Sequence, residues 1–164
     1  MKVSRLAILA GFSAAGVFAQ LPSQKVLTVE LAQTIAQEAM AKCRADGFKV
    51  TVTVVDHANM LKAFVRDDGA PMATIEVGRM KTNSVMAFGR ASGPPVPPPN
   101  APPGAAPPAG GGINLPGTIN AAGGMPIKVG DQLIGAVSVS GAPGGDKDVV
   151  CANAALAKVA DKLR

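Results

Sequence analysis

The sequence has no tryptophan and no tyrosine, one histidine and two cysteines. Each scarcity removes a class of function. A base-stacking platform for nucleic acid would rest on Phe48, Phe64 or Phe88 alone, and these sit in apolar patterns that read as core. His57 offers zinc a single nitrogen, and Cys43 and Cys151 lie far apart in expected helices, so a zinc site would need carboxylates beside His57. There is no C-x-x-C, which leaves a thioredoxin-like redox function unsupported. Neither dinucleotide nor P-loop fingerprint occurs, and no G-x-S-x-G elbow. A triad of His57 with Asp56 or Asp67 and Ser84, Ser138 or Ser140 has no spacing in its favour. Asp56, Asp67 and Asp68 flank turns, where aspartate bonds its own backbone, so no catalytic set emerges.

What is present begins with an export pattern. Lys2 and Arg5 precede an apolar, small-residue run from Leu6 to Phe18, and Val17 and Ala19 sit at the positions a signal peptidase reads. That run of about 13 residues is short for a membrane span. The expected signal peptide is 1–19, leaving a mature chain from Gln20 in the periplasm or secreted, with no stable membrane insertion. Its 145 residues suit one domain, and its formal charge falls from +5 to +3 without Lys2 and Arg5. This mild basicity is no nucleic-acid signal. An oxidising compartment permits a disulfide between Cys43 and Cys151, or leaves two buried thiols.

The periodicities give helix, hairpin, helix, long loop, hairpin, helix. Thr28 caps a helix to about Asp46, with Leu31, Ile35, Ala39 and Cys43 as its buried face. Lys49–Asp56 and Met60–Arg66 form a hairpin around a turn containing His57. A helix from Pro71 to about Phe88 carries Ala73, Val77, Ser84 and Phe88 on one side and Ile75, Arg79, Thr82 and Met86 on another. Nine prolines in residues 94–108 exclude helix and sheet there, so this insertion reads as an extended polyproline-rich loop. Met125–Val129 and Gln132–Ser140 form a second hairpin, and Asp146 caps a final helix to Leu163. Two such hairpins joined and flanked by helices make an α/β domain of the α+β type, with one antiparallel sheet.

Candidate ligand groups are few. His57 is a solvated turn residue or, as the one imidazole, an axial ligand to haem iron and the sole metal candidate. Met60, Met72, Met80, Met86 and Met125 read mostly as core filler, with Met86 a candidate thioether ligand. Arg66, Arg79, Lys81 and Arg90 form either a solvated basic face or partners for haem propionates.

Four stretches resemble a known family. They are Val54-Val55-Asp56; Ala63 to Ala70; Ala73 to Val77 with Lys81 and Phe88; and Gly123 to Ile127 running on to Ile134–Gly141. Asp148, Cys151 and Ala152 in the last helix fit too. Together they resemble the GlcG/HbpS family of haem-binding and haem-degrading-like small proteins, over about residues 27 to 163 apart from the proline insertion. The resemblance implies a profilin-like or PAS-like fold and homo-oligomers from dimers upward. It implies haem as cofactor and, in exported members, a membrane sensor partner with a sensing or storage role. Asp56, Arg66, Asp68, Gly69 and Lys81 stand where the family places polar residues around a groove. Three readings follow: a non-enzymatic exported ligand-binding protein with haem first, an enzyme acting on a small metabolite or haem-related substrate, and a structural oligomeric scaffold.

Overall fold

The computed structural model describes residues 23–94 and 115–164. The expected signal peptide, and all of the proline-rich stretch except Pro94, lie outside those residues. Three helices and four strands follow in the expected order: α1 (Val29–Ala45), β1 (Thr51–Asp56), β2 (Leu61–Arg66), α2 (Ala73–Phe88), β3 (Gly124–Val129), β4 (Gln132–Ser140) and α3 (Gly145–Lys158), ending in a short 3-10 turn. The two hairpins join through β1 and β4 into one antiparallel sheet ordered β2-β1-β4-β3.

Register divides the sheet into two unlike faces. Val52 pairs with Val139 and Val54 with Val137, and all four are buried in the main core against α1 and α3. Residues one step along the strands point the other way. There Thr51 pairs with Ser140, Thr53 with Ser138 and Val55 with Ala136, beneath α2. The alternation of valine and threonine in β1 thus encodes an oily face and a hydroxyl face.

The α1 helix follows its sequence pattern. Thr28 Oγ1 accepts from Leu31 N–H at 3.3 Å, Glu30 sits in the favourable first turn, and Ala32, Ile35, Ala36, Ala39, Met40 and Cys43 are buried. Against it packs α3, and Cys43 and Cys151 meet at a disulfide distance of 2.05 Å with both residues fully buried.

On the other face, α2 departs from expectation. The buried side lies between the two read from spacing: it takes Ser84 from one and Thr82 from the other, together with Thr74, Gly78, Lys81 and Val85. The reason is the hydroxyl sheet beneath: Thr74 and Thr51 hydroxyls meet at 2.6 Å, and Ser138 Oγ donates to Gly78 O at 2.7 Å. A Cβ on Gly78 would stand 3.1 Å from Thr53 Oγ1, so a helix this close to the sheet favours glycine. Only Val55, Val85 and Ala136, with Met86 against them, form an apolar cluster here.

Several expected core residues lie at the surface. Phe64 and Phe88 are exposed, as are Met60 and Met72, because α2 covers β1 and β4 and leaves the edge strand β2 open. Phe48 does pack against the core. The cap of α3 is Gly144 with no side-chain cap bond, so Asp146 does not cap it.

Candidate functional site

The turn of the α2 helix separates two flanks. Val77, Lys81 and Ser84 face β3 and its incoming segment, where Ser84 Oγ accepts from Ile119 N–H at 2.9 Å. Ile75, Arg79 and Met86 lie on the opposite flank, toward β2. Asn83, at the edge of that flank, accepts from Asn59 Nδ2 at 2.9 Å in the β1–β2 turn.

The first flank holds a cavity of about 430 Å³ between the start of α2, Asn120–Ala122 and the start of α3. Its wall includes an ion pair, Lys81 Nζ to Asp148 Oδ2 at 2.7 Å, with both side chains almost fully buried. Lys81 also donates to Val139 O at 2.8 Å, and Asp148 Oδ1 accepts from Ala142 N–H at 3.0 Å. Burial pushes the Asp148 carboxyl above the usual carboxylate range, while Lys81 and the Ala142 amide pull it back. Lys81 is therefore not part of a solvated basic face. The arginines can keep a charged head in water at the end of the helix flank, whereas position 81 points down toward the sheet edge and finds its counter-ion there.

The second flank gathers most of the other expected residues. Phe64 pairs with Thr53 and Arg66 with Thr51, which puts both side chains on the α2 face of the sheet. Leu61 is 54% and Phe64 40% exposed. Arg66 and Arg79 are exposed, and Arg66 Nη1 donates to Ala70 O at 2.6 Å, leaving most of its donors free. Met86 is half-buried. His57 is exposed in the β1–β2 turn, where Asp56 Oδ1 accepts from Ala58 and Met60 N–H at 3.0 Å each. Five residues of register separate that end of β1 from Thr51 and Ser140 beside the cavity, roughly 17 Å. The structure thus splits the expected set: Lys81 lines the cavity, while Arg66, Arg79 and Met86 share the β2 flank with His57 at its end.

An enzyme would need Asp56, His57 or Lys81 pointing into a cleft; Asp56 and His57 face a turn or solvent, and Lys81 lines the cavity. Among the described residues no cluster of three or more histidine, cysteine or acidic side chains is placed to hold a metal. No helix among them is long and apolar enough to cross a membrane.

The model of the HbpS-like family, described as haem degrading protein HbpS-like, matches residues 27–157. The chain belongs to the HbpS-like family. The crystal structure of HbpS aligns with a TM-score of 0.71 at 25% identity, covering 89% of this chain and 99% of that one. A double mutant of Streptomyces reticuli HbpS aligns at 0.69 and 23% identity, covering 92% and 98%. The PduOC:heme complex aligns at 0.65 and 19% identity, covering 81% and 94%, a likeness of fold. No curated protein matches the chain significantly. The HbpS-like fold accounts for the three helices and four-stranded antiparallel sheet.

Sequence reasoning missed Asp148 as the partner of Lys81, and Ser140 as a cavity wall. The available signal was Gly123-Gly124. A Cβ on Gly123 would stand 2.6 Å from Lys81 Nζ and 2.8 Å from Asp148 Cβ, so this glycine makes room for the pair.

Proposed function

We propose that the chain is an exported small-ligand-binding protein that takes haem along the α2–β2 flank. One observation carries this reading: Leu61 and Phe64 stay exposed on a sheet face that α2 leaves open, with Arg66 next along the strand face and Arg79 exposed on α2. A flat apolar ring with two carboxylates matches an apolar strip bordered by two guanidiniums, which bind carboxylates through paired N–H groups. On this flank the His57 imidazole or the Met86 thioether would hold the haem iron. Bound haem would supply a redox-active iron. The family's haem-related description and a haem complex among the fold relatives favour the same ligand.

Export to the periplasm or outside the cell belongs to this proposal, and the buried Cys43–Cys151 link supports an oxidising compartment. Homo-oligomerisation belongs to it too, supported by exposed Val26, Val29 and Val150 on other faces. A membrane sensor would be the partner of a sensing role. The cavity lined by Asn120–Ala122 argues against a purely structural scaffold, which needs no pocket.

Haem titration of the purified protein, followed by absorbance and then size exclusion, tests the reading. A saturable Soret band on a defined oligomer is expected. Arg66→Ala with Arg79→Ala should weaken binding about tenfold, and His57→Ala or Met86→Ala should move the band. A flat titration removes haem.

A further inference from the structure

The cavity on the β3 flank of α2 lies apart from the proposed haem surface, and its chemistry is different. An ammonium has three donors, and Lys81 spends two of them on Asp148 and Val139. One donor is left unspent, and Lys81 lines the cavity. Ser140 is only 4% exposed and also lines the cavity, yet its hydroxyl has no hydrogen-bond partner among the described residues. Two unspent groups in one wall, a charged donor and a hydroxyl, are suited to a carboxylate.

The charge balance refines the ligand. Lys81 is already neutralised by Asp148, and Asp146 adds an exposed carboxylate at the rim with no ion-pair partner among the described residues. A bare anion would meet net negative charge. A ligand with a cationic group next to its carboxylate would meet Lys81 and Ser140 at one end and Asp146 at the other. Asn120 adds an amide at the rim, and Val77 leaves an apolar patch for a short side chain. An ionisable pair kept in the wall of a cavity is more characteristic of a site than of a core, since apolar pairs fill cores with no desolvation cost.

We propose that this cavity binds a small zwitterionic amino acid, with its carboxylate on Lys81 and Ser140 and its ammonium on Asp146. The proposal is independent of haem. Isothermal titration of the purified protein with glycine, L-alanine and L-serine, and separately with acetate and lactate, tests it. Saturable binding of an amino acid, at least about tenfold tighter than acetate or lactate, is expected. Ser140→Ala and the surface change Asp146→Asn should each weaken it about tenfold, while Arg66→Ala with Arg79→Ala leaves it unchanged. Absence of saturable heat up to about 10 mM, equal binding of acetate, or indifference to both cavity variants would overturn it.

Discussion

Lys81 and Asp148 meet at 2.7 Å although their helices cover opposite faces of the sheet. The lysine leaves α2, passes Gly123 just before β3 begins, and reaches the first turn of α3. Val139 O and the Ala142 amide complete the contacts, so two helices, the end of β4 and the following turn are tied at one point. The same point forms the wall of the cavity. Fold stability and ligand chemistry are therefore linked through one buried pair.

Breaking that pair from one side should be costly. Lys81→Met leaves a buried carboxyl and Asp148→Asn leaves a buried ammonium, each expected to lose roughly 3–5 kcal/mol in urea unfolding. The double change Lys81→Met with Asp148→Leu should recover most of the loss, because it leaves no charge to desolvate. Lys81→Met also has a pH signature. Without the lysine, burial and the neighbouring Asp146 act on Asp148 against the Ala142 amide alone, and its carboxyl rises further. A raised folded value means that the folded state holds the proton more tightly. The stabilising contribution of Asp148 in this variant is fully present below the ordinary carboxylate range and is lost as pH rises through the folded value. Equal stability of the variant at pH 4 and pH 8 would refute this account.

Gly123 should tolerate no side chain. Its φ is +124°, and a Cβ would stand 2.6 Å from both Lys81 Nζ and the Val139 carbonyl. Gly130 is the control, with φ +59° and open space around it. Gly130→Ala should cost about 1 kcal/mol from backbone strain alone. Gly123→Ala should cost clearly more, since the Val139 backbone cannot swing away as a side-chain tip can. Thermal unfolding of the two variants side by side decides it; an equal loss would show that the close approach relaxes freely.

The architecture was largely legible because strand signals are local. β4 begins at Gln132 and ends at Ser140, as alternation and the flanking Gly130-Asp131 and Gly141 predict. The α1 helix likewise follows from Thr28 and a four-residue apolar repeat. The site was less legible because its determinants are not apolar. The α2 helix buries threonine, serine, glycine and lysine, which periodicity arguments assign to the outside. Gly78, isolated within a helix, was the local hint of a tight packing contact. Phe64 looked like core by type, but its exposure depends on which strands α2 covers, a matter of strand order that no local pattern carries. Asp148 fitted the expected helix start, and only the fold brings it to Lys81, 67 residues away.

The Cys43–Cys151 link closes a long loop, its ends 108 positions apart in the sequence. It joins α1 to α3 within the main core, where both residues are inaccessible to solvent. Replacing both with alanine should lower stability by roughly 2–5 kcal/mol. Labelling of free thiols in denaturant should find none without reductant and two after reduction. Thiols detected without reductant would mean that the chain is stable with the pair open.

Acid should act elsewhere, at Asp67. This nearly buried carboxylate follows β2 and accepts from Arg44 Nη2 at 2.9 Å, with Lys49 Nζ at 3.8 Å. Its backbone N–H donates to Val50 O, so it pins the end of one hairpin strand beneath the end of α1. The hydrogen bond from Arg44 holds the carboxyl below its usual range, against the opposing effect of burial. A depressed folded value means that the unfolded chain binds the proton more readily. The stabilising contribution is thus complete above the ordinary aspartate value and disappears as pH falls through the folded one. The native protein should keep that contribution into the acid range below typical carboxylates. Arg44→Gln removes the charge that depresses the value while keeping a hydrogen-bond donor, so its loss of stability should begin at higher pH. Melting temperatures of both proteins measured between pH 2 and 7 provide the comparison. Parallel curves across that window would mean that Arg44 does not govern Asp67.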